Sequence, residues 1–515
     1  MALPIALSDI EFGERDALHE FMKQDRQQLN ILDQSFVVPP RIKMSDLQNG
    51  ARYLIAGPKG SGKTTLLWHL KRSSDGKSKI ILFKSDLLKE DRDKLDRMVD
   101  LIVVEDQKKY KIESDYKAIW EWYLLKNIFS LIDTNDVSED KSLLSDIKSL
   151  LNIKETRINN IFDSFFVEKV KGKIKLSIGT DLLKSELSGE VEARRDNDKI
   201  DFLDLIRLIQ SVMPKIKLNS NVKIRIYIDE LEFFMSKDGD GERDHRLVRD
   251  LVFSIYKTNN MLSYLGFNIV IIASLRSEIF NSIATNNQEV EKILDAFGVN
   301  INWHEEDANS HPVLGIFENK IRFSEIESCG YSSEDVWLTY FPTSVGFKDI
   351  KGYLLDLGLH RPRGVLLRLK AALDVSTRRH TFHESDFVGS EDNFGRYMLQ
   401  EFNDELSASH DEFERENLLS LVRGHHYAFD VEEIERRKSS LANKELGSSR
   451  FYGKISGEYV VRLFYRIGLI GNQFENSSGN EKLIREQWSF RGYEDPVLAQ
   501  RFVLHKSIRK ALQTF

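Results

Sequence analysis

Gly57-Pro58-Lys59-Gly60-Ser61-Gly62-Lys63-Thr64 is the run whose residue types and spacing point most directly to chemistry. It fits the eight-residue template of a phosphate-binding loop at every fixed position. Glycines let the backbone turn tightly and aim N–H groups inward, and the positive end of a following helix completes an anion cradle. In such a loop Lys63 reaches the β- and γ-phosphates of a nucleotide and the Thr64 hydroxyl goes to Mg²⁺, with Thr65 next to it at the helix start. A second signal is Ile226-Tyr227-Ile228-Asp229-Glu230, apolar residues that end in an acidic pair. At a strand end, Asp229 would hold the water shell of Mg²⁺ and Glu230 would orient and polarise an attacking water. This is chemistry of position and charge rather than of covalent intermediates. ATP and Mg²⁺ are therefore the expected ligands. Thr64 and Asp229 are the expected metal contacts.

Two further clusters fall where such a site would need them. Ala273-Ser274-Leu275-Arg276-Ser277-Glu278 ends another apolar run, and ligands collect at the C-terminal strand ends of a doubly wound sheet, so Ser274 or Arg276 would sense the γ-phosphate. Leu359-His360-Arg361-Pro362-Arg363-Gly364 is a turn that opens an apolar helix, and Arg361 or Arg363 would swing over the nucleotide. The catalytic candidates are thus Lys63, Asp229, Glu230 and Arg276, and residues 57–65 with Arg363 form the nucleotide-binding set.

These residues need a scaffold. The spacing predicts a strand over 51–56, a helix from Lys63 to about Arg72, and strands at 79–83, 100–105, 222–228 and 267–273, with a helix over 243–261 between the last two. Alternation of this kind predicts a parallel α/β sheet. Thr64 and Asp229 lie 165 residues apart, far more than one crossover requires. Lys-, Asp-, Leu- and Ile-rich sequence at helical spacing fills the gap and reads as a helical insertion. Residues 15–28 read as a helix, the chain after about 345 is helical again, and the last 100 residues read as a small α+β unit.

Composition narrows the class. The chain has 515 residues, 41% hydrophobic and 30% charged, with a net charge of −7. Three or four domains are expected at that length. The longest apolar stretch, near Phe267–Leu275, is half of what a bilayer span requires, and the first residues lack the pattern of a secretory signal. Cys329 is the sole cysteine, which excludes an internal disulfide framework and a cysteine-based metal centre and fits a reducing cytoplasm.

The set resembles the bacterial P-loop ATPases of the AAA+/STAND-like group. Within it, the chain is similar to a family with a Gly-x-Lys-Gly-Ser-Gly-Lys-Thr loop, an Arg-Ser-Asp-like strand end, an Arg-Pro-Arg turn and a C-terminal winged helix. Here these are Gly57–Thr64, Arg276-Ser277-Glu278, Arg361-Pro362-Arg363 and residues 440–515. Phe12-Gly13-Glu14-Arg15-Asp16 is similar to that family's opening motif, which lies near the adenine. Glu278 departs from the usual Asp, and Gly364 stands where an acidic residue is common. The resemblance implies an α/β P-loop NTPase fold: a parallel sheet with a large helical insertion, a helical lid and a C-terminal winged-helix-like domain. The corresponding boundaries are an N-terminal helical segment (1–50), a core (51–110 and 216–340), the insertion (111–215), the lid (341–420) and the winged-helix-like unit (421–515). Such ATPases resemble components of anti-phage systems, and in layout origin-binding and clamp-loading ATPases.

The leading expectation is a Mg-dependent ATPase, slow or partner-stimulated, that acts as a switch or motor on a separate effector or a nucleic acid and does not involve a membrane. A DNA-binding loader of origin-recognition type and an ATP-binding scaffold with little hydrolysis are the alternatives. Residues 421–515 carry 16 Lys and Arg against 11 Asp and Glu, and Arg436, Arg437, Lys438, Arg501, Lys506, Arg509 and Lys510 are candidates for nucleic-acid phosphates. An arginine acting in trans, from Arg243, Arg246 or Arg249, would require ATP-dependent self-assembly. Leu187-Ser188-Gly189-Glu190, Arg378–His383 and His425-His426 superficially resemble other functional motifs and read as a turn, a charged helix end and a surface pair.

Overall fold

Five strands, parallel throughout, make the frame that positions the rest of the chain. The computed structural model describes residues 4–27, 30–83, 116–151, 173–175, 199–231, 241–285, 288–376, 379–407, 409–443, 446–478, 481–493 and 495–515. The strands are β1 (Leu54–Gly57), β2 (Lys77–Leu82), β3 (Ile224–Leu231), β4 (Ile269–Arg276) and β5 (Gly298–Asn300), in the order β2-β3-β4-β1-β5. Helices lie against the sheet, so β1, β3 and β4 are almost wholly buried and read as near-continuous apolar runs. The runs expected at 79–83, 222–228 and 267–273 fall on β2, β3 and β4, with ends shifted by one to three residues. The run at 100–105 lies outside the described residues. β5 was not anticipated, because Gly298-Val299-Asn300 is too short and too polar to carry a strand signal.

β4 lies between β1 and β3, and its register sets the geometry of one sheet edge. Gly57 pairs with Arg276 across β1 and β4, and Ile228 pairs with Ala273 across β3 and β4. Three neighbouring strand ends therefore deliver Gly57, Arg276 and Asp229 together. The β3–β4 register then shifts between Ile228 and Leu231, with three steps on β3 matched by two on β4. Glu230 sits in this bulge at φ +59°, a left-handed conformation that costs a non-glycine residue roughly 1–2 kcal/mol. Bulges re-aim side chains at sheet ends.

Helices α1 (Ala17–Gln27) and α2 (Lys63–Ser73) flank the N-terminal part of the sheet. Helix α3 (Lys117–Leu131) is buried on every side from Ile119 to Phe129. Two of its polar residues are satisfied internally: Glu121 accepts from Gln210 (2.8 Å) and Lys257 (2.7 Å), and Asn127 accepts from Lys79 (2.8 Å). Helix α4 (Gly241–Tyr264) connects β3 to β4. Helices Lys141–Leu150 and Phe202–Val212 also belong to the described part of the expected insertion.

Beyond β5 the chain is mainly helical, through α5 (Pro312–Cys329), α6 (Ile350–Leu357), α7 (Pro362–Ser376) and α8 (Glu391–Leu406). It closes with β6 (Ala428–Phe429), α9 (Val431–Ala442), α10 (Leu446–Tyr452), α11 (Gly457–Ile467), a hairpin of β7 (Ile470–Ser478) and β8 (Glu481–Gln487), and β9 (Arg501–Leu504). These four strands form an antiparallel sheet in the order β6-β9-β7-β8. One apolar face of α8, with Phe394, Met398, Phe402 and Leu406, shares a core with Leu504, Ile508 and Leu512 of this last unit.

A histidine junction joins α6, α7 and the C-terminal unit. His311 Nδ1 accepts from the Val313 N–H (3.3 Å), so its proton sits on Nε2 and is donated to His360 Nδ1 (3.1 Å). The His360 ring lies 5.8 Å from that of Phe490, and His505 Nε2 meets the Asp356 carbonyl at 3.1 Å. Arg491 reaches the Asp356 carboxylate at 2.5 Å, and Lys348 pairs with the same group. Burial pushes the imidazoles of His311, His360 and His505 down to about 3, and at His360 the Arg491 and Lys348 charges add to it. These rings are neutral in the fold but take up a proton near pH 6.5 when exposed, so stability is lost as pH falls below that value. Each ring contributes up to about 1.4 kcal/mol per pH unit. We expect the urea midpoint to fall between pH 7 and pH 5, and His360→Asn to flatten that dependence.

Candidate functional site

β1 ends at Gly57, and the loop that follows turns into α2 at Gly62. Gly60 and Gly62 have φ of +75° and +91°, which glycine adopts at little cost. Space is as restrictive as angle: a Cβ on Gly57 would lie 2.6 Å from Ser61 Oγ, and one on Gly60 2.8 Å from Arg363 Cβ. Lys63 Nζ donates to the carbonyls of Gly57 (2.9 Å) and Pro58 (3.0 Å), which holds the ammonium across the loop. From outside, Trp303 Nε1–H donates to the Ser61 carbonyl (2.8 Å) and the Arg363 N–H to that of Gly60 (3.3 Å).

Asp229 is buried. Its Oδ1 accepts from the Ser274 hydroxyl on the neighbouring strand, and its Oδ2 has no hydrogen-bond partner among the described residues. Lys63, Thr64, Thr65, Asp229, Glu230, Ser274 and Arg276 border one end of a cavity of about 180 Å³. The sheet edge thus brings together the loop, the acidic pair and the strand-end arginine that the sequence suggested. The other end of the cavity is apolar, lined by Phe12, Leu32, Phe36, Val37, Phe317 and Leu366. A buried Lys320–Glu20 ion pair lies at that end, and Glu20 Oε2 also accepts the Glu14 N–H (3.0 Å). Gly13, at φ +103°, makes room for the pair: a Cβ there would sit 2.3 Å from Lys320 Nζ.

Residues 316–403 are similar to a recognised family, the FunZ-associated C-terminal helical domain. No curated protein matches the chain. The matched segment runs from within α5 to within α8 and carries Lys320, Arg363 and Glu401. It leaves the parallel sheet and the glycine-rich loop outside. The chain is therefore a mixed α/β protein with a five-stranded parallel sheet and a C-terminal helical domain. Among the described residues no helix is long and apolar enough to cross a membrane.

The helical domain builds a basic wall onto the cavity. Glu401, at the C-terminal end of α8, is 2.6 Å from Arg15 Nη2, 3.3 Å from Lys59 Nζ and 3.4 Å from Arg363 Nη1. Asp404 takes a second contact from Lys59 (2.5 Å), and its carbonyl accepts from Arg276 Nη1 (3.3 Å). Burial alone would raise the Glu401 carboxyl, but the charges of Arg363, Lys59 and Arg15 outweigh it and pull the group down to about 2. Of the two arginines in the Arg361-Pro362-Arg363 turn, Arg363 lines the cavity. Arg361 turns to Glu405 and reaches the Lys59 carbonyl at 3.4 Å. Gly364 has a steric reason: any Cβ there would lie 2.1 Å from the Gly358 carbonyl oxygen.

Arg15, in the opening motif that the sequence placed near the adenine, does line the cavity; Glu401, Asp404, Glu20 and Lys320 were missed as parts of the site. The only local hint was the i, i+3, i+4 stripe of Glu401, Asp404 and Glu405 on one helix face. Other candidates fall elsewhere. Arg249 pairs with Asp250 (2.8 Å), and the side chain of Arg243 is outside the described residues, as are Leu187–Glu190 and Arg378. Arg379 pairs with Asp386 (2.5 Å) and His383 caps the short helix Glu384–Gly389. His425 is half-buried and His426 exposed. In the C-terminal unit, Arg437 donates to the Ser420 carbonyl (3.2 Å), Lys438 to that of Ile455 (2.9 Å), Arg501 to that of Ala428 (2.9 Å) and Arg509 to that of Leu504 (2.9 Å), while Lys510 pairs with Asp392 (2.9 Å). These basic side chains serve internal contacts.

Gly364→Ala would force α7 away from Gly358 and with it the wall carrying Arg363. Overpacking of this kind costs about 1–3 kcal/mol, and we expect that loss in equilibrium urea unfolding of the variant.

Proposed function

We propose that the chain is a Mg-dependent ATPase that works in the cytoplasm as a nucleotide-driven switch or motor on a separate partner. The observation that carries this reading is the buried Asp229 Oδ2, unpartnered among the described residues and bordering the same cavity end as the glycine-rich loop, Lys63 and Thr64. A buried carboxylate oxygen without a partner is costly unless a cation or donor meets it. No group of three or more His, Cys, Asp or Glu side chains suited to a metal occurs among the described residues. That agrees with Mg²⁺, which is commonly held by one or two protein oxygens together with nucleotide phosphates and water.

When bound, Mg²⁺ would neutralise phosphate charge, with Thr64 and Asp229 as the residues that would hold it. The chain supplies the rest. Loop N–H groups and the N-terminus of α2 bind phosphate oxygens, and Lys63, released from the Gly57 and Pro58 carbonyls, follows them. Ser274 fixes the Asp229 carboxylate in orientation. Glu230, aimed by the bulge, orients the attacking water. Arg276 and Arg363 stabilise charge that develops on the γ-phosphate. The apolar end of the cavity, walled by Phe12, Phe36 and Phe317, fits a nucleobase.

The C-terminal unit, a strand, three helices, a hairpin and a final strand in sequence order, supports a winged-helix reading. Five of its seven candidate basic residues make internal contacts, which favours a protein effector over nucleic acid as the partner, while Arg436 and Lys506 stay exposed. By resemblance this would be the ATPase of an anti-phage system.

Purified protein should hydrolyse ATP only with Mg²⁺, and Lys63→Ala should abolish turnover. Glu230→Gln should lose about 10²-fold or more of kcat while its ATP affinity stays near that of the parent. Equal turnover in parent and Lys63→Ala would remove the assignment.

A further inference from the structure

We propose that Glu401 on α8 is a positioning residue that gathers Arg15, Lys59 and Arg363 along the cavity wall, and that a polyphosphate entering the cavity takes these cations from it and so loosens α8 and the C-terminal unit packed on it. This rests on the nucleotide reading above and adds its regulation.

The three cations come from separate parts of the chain: the segment before α1, the glycine-rich loop and the start of α7. All three line the cavity, whereas Glu401 stands behind them. Its carboxylate is the group they share, at 2.6 Å, 3.3 Å and 3.4 Å. With Asp404 included, three positive charges face two negative ones, so an anion is still attracted to the wall. Guanidinium groups suit a carboxylate and a phosphate by the same fork geometry, so one anion can displace the other from Arg15 and Arg363. Glu401 is largely buried, and losing its partners leaves it in a costly environment. Relief requires α8 to shift or admit water. The far face of the same helix packs Phe394, Met398, Phe402 and Leu406 into the core shared with Leu504, Ile508 and Leu512, and Gly395 lies close against the Ser507 carbonyl. The charge exchange therefore acts on the helix that anchors the C-terminal unit.

The test uses full-length protein, calorimetric titration with MgATP and with adenosine, and amide hydrogen exchange over 391–406 and 421–515. Glu401→Gln keeps the shape of the side chain and removes its charge. We expect it to bind MgATP roughly 5–10-fold tighter, within the usual range of coupling between linked sites, with adenosine affinity unchanged. A general loosening of the fold would not produce a gain confined to the phosphates. In the parent, MgATP should speed exchange over 391–406; in Glu401→Gln exchange there should already be fast without nucleotide. Asp404→Asn, at a more exposed carboxylate on Lys59, should move affinity in the same direction by less, and gives the sign if Glu401→Gln does not fold. MgATP binding in the parent with equal or weaker binding in the variants overturns the exchange and leaves the nucleotide reading standing. No MgATP binding in the parent overturns both.

Discussion

Everything at the candidate site depends on where β4 sits. A parallel sheet can bring a loop and an acidic strand end close only if the intervening strand ends at a matching height. β4 does so: its register with β1 and β3 sets Arg276 beside Gly57 and Ser274 at the level of Asp229. The Ser274–Asp229 hydrogen bond then fixes one carboxylate oxygen, while the other is buried without a partner among the described residues in a side chain that borders the cavity. The bulge one residue later turns Glu230 into a conformation that an uninterrupted strand would not permit. Position along a hydrogen-bonded ladder, rather than any contact with a ligand, prepares the site.

Close backbone approach is the second constraint, and it explains glycines that otherwise look unrelated. Gly60 on the loop and Gly364 on α7 each leave no room for a Cβ, the first against Arg363 and the second against the Gly358 carbonyl. The start of α7 is thereby pressed onto the loop, and the Arg363 N–H bonds to the Gly60 carbonyl. Gly13 does the same for the opening segment, where the space it leaves holds the Lys320–Glu20 pair. Glycine at these positions lets an element from each of three distant stretches of chain close on a single cavity.

What was legible in the sequence was what is local in the chain. The glycine-rich loop, its strand and helix, and the Asp229-Glu230 strand end each declare themselves within about ten residues, because turn geometry, periodicity and chemistry coincide there. β5 did not, since three residues carry no periodicity. The carboxylates behind the basic wall did not, because Arg15 and Glu401 are 386 residues apart and an acidic stripe on a helix looks the same whether solvent or arginine faces it. The C-terminal unit poses the converse case: a positive count is visible in sequence, but whether a guanidinium meets phosphate or its own backbone depends on tertiary packing. Arg437 and Arg509 satisfy backbone carbonyls instead. The sequence offered Arg361 or Arg363 over the nucleotide and put Arg363 in the binding set; the structure turns Arg363 toward the cavity and Arg361 toward Glu405.

That division makes the turn from Leu359 to Arg363 more than a connection. Leu359 and His360 both hold positive φ, a conformation unfavourable for residues with a Cβ, so the turn persists because its surroundings over-determine it. On one side Arg363 touches the loop and Glu401; on another Arg361 pairs with Glu405; behind them His360 bonds to His311 and packs against Phe490 of the C-terminal unit. A strained segment tied at three points cannot adjust at one without load on the others. An anion at the loop, a shift of α8 and a change at the histidine junction would each load these same five residues, with no long chain of contacts between them.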